Sequence, residues 1–550
     1  MTAKPDPTKK RLPWPEIVST KRSIRDVALQ KYQIERDHSL DTTFGETIVD
    51  INEITRLLET GQVSALELTL AYIGRACEAQ AKTNCLTEIC FNDAIHQAKQ
   101  LDEFQRKNNR LIGPLHGVPM SLKDQFNIKG LDTTLGYVAN AFVPAECDAA
   151  LVQTLKKLGA VIISKTNLPQ SIMWCETDNP LWGVTTHSDD PQLTPGGSSG
   201  GEAALLSLGG SLVGWGTDIG GSIRIPSHMN GLWGLKPSSG RMSYQGVGVT
   251  LDGQQHIPSS VGPMARSLAS ITLVTKLAIE AELWSVDPQL PPIPWRDTIY
   301  QEFSSRRLVI GALLDDGLVK VHPPIERVFR DLVVKLQAAG HEIVEWDSSL
   351  NANCIELMVS KAISSLTYSW ELTMNQDEYY TSDGGEDIKR AIEAGGEPFI
   401  PHIQAFVDRG KPISVYEYWQ LNKRKVEIQQ AYHTMWNNTR SSSGRMVDIL
   451  LVPTMPHTAV PHGSCRWRGY TKVFNFLDYT ALSFPAGRAD KKRDWCYFKE
   501  YTPRNETDEW NWGLYKPEEM DGRHVGLQLV GRRFEEEKVM GAAKQIERLL

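Results

Sequence analysis

The chain has 550 residues, 41% hydrophobic and 23% charged, which is the balance of a globular protein and enough length for more than one ordinary domain. A formal net charge of −7 excludes a dedicated nucleic-acid binder, which needs a basic excess or a clustered basic face. No run approaches 18 apolar residues and no two of the eight cysteines form a C-x-x-C pair, so a spanning helix and a zinc ribbon are excluded too.

Residues 1–49 are polar and broken by Pro5, Pro7, Pro13 and Pro15, and the first of them have no apolar stretch suited to a secretory leader. They read as an N-terminal arm that packs a helix or two on the body, with a solvated basic scatter from Lys9 to Arg25, and the cytoplasm is the expected compartment. The body, residues 50–550, is read as one catalytic domain. Ile51, Ile54, Leu57 and Leu58 recur at helical spacing, and Gly61 closes that helix. Ser64 and Glu67 stand three apart, the spacing of a capping box that opens the next helix. Apolar runs of strand length follow at 117–122, 160–164, 308–314 and 448–456, with helical patterns such as 148–159 between them. This alternation predicts an α/β fold around a mostly parallel or mixed sheet. Residues 380–398 and 489–523 read as surface excursions, the second carrying Trp495, Trp510 and Trp512.

Between Gly196 and Gly240, 13 of 45 residues are glycine, against 43 of 550 overall. Such density serves a phosphate cradle, close backbone packing or an oxyanion site. The phosphate reading lacks a fingerprint: no Lys follows the glycines as in a P-loop, and the dinucleotide pattern fits only when stretched. Close packing explains glycine but not the two serine-bearing turns, "GGSSGG" with Ser198 and Ser199, and "GTDIGGS" with Ser222. Consecutive N–H groups in such turns bind an anion, and an oxyanion is the relevant one if Ser222 attacks a carbonyl. The residues leave the base open. His116 or His228 would make a Ser–His–Asp enzyme; Lys123 in "PLHGVPMSLKDQF" and Lys165 in "VIISKTNLPQ" both end apolar strands.

The stretch "GGSSGGEAALLSLGGSLVGWGTDIGGSIRIPSHMNGLWGLKPSSGR" (196–241) resembles the defining segment of the amidase signature family. The likeness continues in "GPLHGVPMSLKDQFNIKG", "KTNLPQSIMWCETDNPLWG", "SSVGPMARS", "DILLVPTMP", "DYTALSFPAG" and "GLQLVGRRFEEEKV", roughly residues 50–550. Within the family the chain looks most like fungal acetamidases, and next like fatty acid amide hydrolases. The resemblance implies an α/β fold with a large mixed central sheet covered by helices on both faces. It implies a Ser–cis-Ser–Lys triad with Ser222 as nucleophile, Ser198 as the bridge after a cis peptide from Gly197, and Lys123 as base. Oxyanion donors would be the N–H groups of Ile219, Gly220, Gly221 and Ser222. Ile172 would present its carbonyl to the substrate, with Met173, Trp174 and Cys175 along the acyl pocket. A bulky Trp174 suits a short or flat acyl group. Asp218, Ser199 and Arg224 would brace the turns.

A lysine base must be neutral, so its pKa of about 10.4 must fall to about 7, which costs about 4.6 kcal/mol between protonation states. Burial supplies a change of that size, and Asp124 should face the other side of the strand. The implied activity is hydrolysis of a small aliphatic or aromatic carboxamide through an acyl-enzyme, with no metal or cofactor, no nucleic acid and a small-molecule amide as partner; a homodimer is compatible with it. Rival readings are a hydrolase of longer-chain N-acyl amides, the glutaminase subunit of a tRNA amidotransferase, and a non-catalytic scaffold. Glu202 stands where many bacterial relatives have Ser, as in the eukaryotic branch, and the membrane helix of some long-chain amide hydrolases is not expected.

Overall fold

A computed structural model describes residues 12–34, 48–358, 380–408, 411–495 and 501–550; parts of the expected arm, and Cys496, lie outside them. Eleven strands form one sheet. They are β1 (Leu86–Ile89), β2 (Pro119–Lys123), β3 (Val161–Thr166), β4 (Val213–Asp218), β5 (Trp233–Lys236), β6 (Ser260–Ala265), β7 (Val309–Ala312), β8 (Glu342–Glu345), β9 (Ile449–Pro453), β10 (Thr480–Arg488) and β11 (His524–Gly531). Their order across the sheet is β1-β3-β2-β4-β6-β5-β10-β11-β9-β7-β8. The sheet is mixed: β2 runs parallel to β3 and β4, and β7 to β8 and β9, while β10 pairs antiparallel with β5 and β11.

Strands β2 to β6 and β9 are buried at every position, because helices cover both faces of the sheet. That is why they read as continuous apolar runs instead of alternating ones. The expected capping box forms: Ser64 Oγ accepts from Glu67 N, and Glu67 returns the bond to the Ser64 backbone. The helix Trp14–Ile34 seats Ile17 and Val18 against Val138, Leu181 and Trp182, and Lys21 Nζ reaches Asp132 at 2.8 Å.

The expected excursion at 380–398 is corrected. Its helix, Glu386–Gly395, buries Ile388 and Ile392, Glu397 accepts from Val138 N at 2.9 Å, and Tyr380 is buried against the site described below. An Ile pair four apart is a helical face, and the polar residues around it conceal that face in the sequence. The segment 489–523 is divided: Trp495 and Trp510 are exposed, but Asp508 and Asn511 are buried and fasten Lys320 through its backbone.

Parallel strands β2 and β4 deliver their carboxyl ends side by side. In open α/β sheets, ligand sites form at such ends. Here Lys123 closes β2, Thr217 and Asp218 close β4, and the two glycine turns lie above them.

Candidate active site

The "GGSSGG" turn leads into the helix Gly200–Ser207, and "GTDIGGS" runs from β4 towards the helix Arg224–Asn230. The Gly197–Ser198 peptide bond is cis. Ser199 N donates to Ser222 O at 3.1 Å, which ties the two turns together. Lys123 is wholly buried, and its Nζ lies 2.7 Å from Ser198 Oγ and 3.1 Å from Thr217 Oγ1. Burial drives the Lys123 pKa down to about 7, against the charges of Asp218 and Glu202, which favour the ammonium. The amine is therefore substantially neutral near pH 7, as a base requires.

Asp218 organises the Ser222 turn. Its carboxylate accepts from Gly221 N at 2.7 Å and Ile223 N at 3.2 Å, and from Arg224 Nε and Nη2 at 2.9 and 3.0 Å. Burial works to raise its pKa, but the Arg224 charge and hydrogen bonds hold it well below the usual carboxylate range. Arg224 is itself fixed by Asn475 Oδ1 at 2.6 Å and Gln528 Oε1 at 3.1 Å. Tyr380 OH donates to Ile219 O at 2.8 Å, and Thr471 Oγ1 to Gly220 O at 2.7 Å, so two carbonyls of the turn are held outward. Of the four N–H groups named from the resemblance, Gly221 is committed to Asp218, and those of Ile219, Gly220 and Ser222 make no other hydrogen bond among the described residues. Ser199 Oγ has no partner among the described residues; that residue braces the turn through its backbone.

The other candidate bases lie elsewhere. Lys165 Nζ donates to Asp132 O at 2.5 Å and Thr133 Oγ1 at 3.1 Å, with Asp124 Oδ1 at 4.0 Å. Asp124 faces away from Lys123, as strand alternation requires, and accepts from Thr134 N and Leu135 N. His116 Nδ1 accepts from Ile112 N, and both ring nitrogens of His228 are engaged with backbone of Gly526 and His457.

Thr217, Gln125 and the part played by Glu202 escaped the sequence reading. Thr217 takes one Lys123 contact and donates to Gln125 Oε1 at 2.5 Å, while Gln125 Nε2 donates to Gly248 O at 2.8 Å. Glu202, noticed only as a departure from bacterial relatives, sits between β2 and β3 and accepts from Ser121 Oγ at 2.6 Å and Thr166 Oγ1 at 2.8 Å. Burial pushes its pKa up to about 8, against those bonds and the charge of Lys123. Ser121 and Lys123, two apart on β2, share a face; that spacing was the available signal.

The space around Ser222 is divided. A cavity of about 360 Å³ is lined by Ser198, Thr217, Tyr244, Val249, Leu251 and Gln254. A chamber of about 30 Å³ lies against Trp174, Cys175, Tyr380, Phe406, Arg468 and Lys472. Ile172, Met173, Ile219 and Ser222 border both. Ser171 and Ile172 adopt left-handed φ of 66° and 57°, a costly pair of conformations that bends the chain at the boundary. No histidine lines either space among the described residues. The described residues contain no cluster of metal-ligating side chains and no helix long and apolar enough to cross a membrane.

The sequence profile of the Amidase family matches residues 67–540. Amidase 2 of Gibberella moniliformis (strain M3125 / FGSC 7600) is 64% identical over 540 residues, 98% of each chain. An acetamidase of Emericella nidulans is 36% identical over 503 residues, covering 90% of this chain and 88% of that one. Among solved structures, a fatty acid amide hydrolase superposes with a TM-score of 0.82 at 30% identity, over 98% of this chain and 91% of that one.

Proposed function

This chain belongs to the amidase signature family, whose chemistry is hydrolysis of amide C–N bonds, and from that membership we propose that it works through an acyl-enzyme on Ser222 with Ser198 and Lys123 as proton relay. The single observation that carries the reading is Lys123 Nζ, buried and near-neutral, 2.7 Å from the Ser198 hydroxyl.

Neutral Lys123 takes the Ser198 proton as Ser198 takes that of Ser222. The Ser222 oxygen bonds to the amide carbon, and charge develops on the carbonyl oxygen. The N–H groups of Ile219, Gly220 and Ser222 receive that charge, with Gly221 N–H holding the turn to Asp218. The proton returns through Ser198 to the amide nitrogen, the C–N bond breaks, and ammonia or an amine leaves. Water then attacks the ester, and the same groups accept and return its proton, so that acid and free Ser222 result. No step in this cycle calls on a metal or cofactor. A carboxamide with a short acyl group, as the acetamidase relatives suggest, is the substrate we assign.

The experiment is covalent labelling with a fluorophosphonate probe followed by peptide mapping, beside Ser222→Ala, Lys123→Ala and Lys165→Ala. The expected result is a label on Ser222, lost in Ser222→Ala and strongly slowed in Lys123→Ala. A silent scaffold gives no label, and a defect confined to Lys165→Ala would transfer the base to that residue.

A further inference from the structure

On the acyl-enzyme reading above, from which this inference follows, Ser198 returns a proton to the departing nitrogen. Ser198 and Thr217 line the cavity of about 360 Å³ and not the chamber of about 30 Å³. The nitrogen therefore leaves on the large side, and whatever it carries lies along the wall of that cavity. The substituents of a carbonyl carbon diverge, so the acyl group points the other way.

The charge on that wall is of one sign. Asp252 and Asp287 line the cavity, and no Lys, Arg or His lines it among the described residues. Asp287 is buried, 6% exposed, and fixed: its Oδ2 accepts from Ser243 Oγ at 2.6 Å and its Oδ1 from Gln289 N at 3.0 Å. A carboxylate has about four acceptor sites, so these bonds leave about half of its capacity for a ligand. Asp252 is exposed, and neither carboxylate forms an ion pair among the described residues. Basic residues close by have other partners. Arg241, between the lining residues Gly240 and Met242, is buried and pairs with Glu536 at 3.3 Å and Glu537 at 2.5 Å. Lys425 lines a neighbouring groove and donates to the His256 carbonyl, and Arg533 of that groove pairs with Asp478 at 2.7 Å. Acidic side chains on an open surface are merely solvated. These two stand in a cavity that opens on Ser222, so the leaving half of an amide occupies it in every turnover. Tyr244 adds an aromatic ring, a second kind of partner for a cation.

We propose that the substrates are short-chain amides of a diamine or polyamine, acylated on one nitrogen and protonated on another, with that ammonium held by Asp287 and Asp252 in the large cavity. The covalent step breaks the C–N bond, leaves the acyl group as an ester on Ser222 Oγ and releases the amine with the proton from Ser198. Water hydrolyses the ester to the free acid, and the second nitrogen keeps its proton throughout.

The test uses the full chain and three acetyl amides that differ only in the end of the amine half: N-(4-aminobutyl)acetamide, N-pentylacetamide and 4-acetamidobutanoate. Acetate release is the common readout. The expected kcat/KM of the cationic compound exceeds that of the neutral one by about tenfold, the worth of one well-placed charge contact, and that of the anionic one by more. Added sodium chloride narrows the spread by screening. Asp252→Asn and Asp287→Asn bring the cationic-to-neutral ratio towards one, chiefly through KM of the cationic compound, whereas a folding defect would lower all three together. Faster cleavage of the neutral or anionic compound, or a ratio unchanged in both variants, overturns the proposal. If the variants do not fold, the parent enzyme's order of preference decides alone. If no acetate is released, the same order is read from how well each compound protects Ser222 from the fluorophosphonate probe, and equal protection or none overturns the proposal. Absence of any Ser222 label without competitor refutes the acyl-enzyme reading itself, whereas a labelled enzyme with the opposite preference refutes only the cation site.

Discussion

Lys123 Nζ lies 3.1 Å from the hydroxyl of Thr217, and this second contact decides which way the amine faces. Thr217 gives its hydroxyl proton to Gln125 Oε1, so towards Lys123 it acts as an acceptor. A neutral amine has two N–H bonds and one lone pair. With an N–H held by Thr217, the lone pair is free to face Ser198, whose proton it takes in the proposed relay.

Thr217→Val should therefore keep the fold and lower kcat by about tenfold to a hundredfold, the usual cost of a mispositioned reacting group. The pH profile separates this from a structural effect. Loss of an acceptor for the ammonium disfavours the charged form, so the acid limb should move to lower pH. A variant with parental kcat and an unmoved limb would contradict the assignment.

Activity should rise with pH through the neutral range. Below the Lys123 pKa of about 7 the amine is protonated and cannot accept from Ser198. A plot of log kcat/KM should climb about tenfold per pH unit below that value and level off above it. Lys165→Met, which removes a buried lysine that faces away, should leave the midpoint in place; a midpoint that moves only in Lys165→Met would reverse the roles.

Asp218→Asn should be strongly destabilising. It leaves the fully buried Arg224 without its carboxylate and loosens the N–H groups of Gly221 and Ile223. Removal of one partner of a buried ion pair costs about 3–5 kcal/mol. Urea unfolding should show that loss, together with slower labelling of Ser222.

Gly221→Ala tests the turn without removing a polar group. Gly221 has φ of +131°, and an added Cβ would lie 2.5 Å from Thr471 Oγ1 and 2.6 Å from Ile225 Cδ1. The turn must shift, and its donors with it. Amide cleavage should fall by about a hundredfold or more, the scale of a lost oxyanion donor, and a fully active variant would mean that the turn's geometry is not needed.

His322 gives a stability prediction with a definite sign. It is buried, donates Nε2–H to Asn511 O at 2.6 Å, and burial drives its pKa down to about 4. In the unfolded chain it titrates near 6.5, so between these values the unfolded state binds the extra proton and folding weakens as pH falls. His322→Gln loses packing at every pH but not this penalty. Its destabilisation relative to the parent should shrink by about 2 kcal/mol between pH 7 and pH 5; a constant difference would exclude the linkage.

The sequence reading reached the sheet, the capping box and the glycine turns because each depends on local spacing. The choice between Lys123 and Lys165 did not. Both end fully buried parallel strands, so their surroundings in sequence look alike. The register separates them: Lys165 pairs with Leu122 and Lys123 with Thr166, so neighbouring strands turn the two lysines to opposite faces, and only Lys123 faces Ser198. Thr217, Gln125 and the packing of 380–398 were hidden for a related reason. Their partners lie across β-strand neighbours or far along the chain, and no periodic signal marks such pairs. Glu202 was visible as a residue, but its effect on Lys123 requires knowing that both are buried on one side of β2.

Arg224 couples the beginning of this protein's history to its end. The residues that steady it, Asn475 and Gln528, follow it by 251 and 304 positions. During translation the serine turn emerges long before the segments that lock it in place. A nascent chain, or one cut short before β11, would thus carry Ser222 in a turn held by Asp218 but lacking the Gln528 support of Arg224. On the proposed mechanism, the turn would gain its full support only with the final strand, long after Ser222 itself has been made.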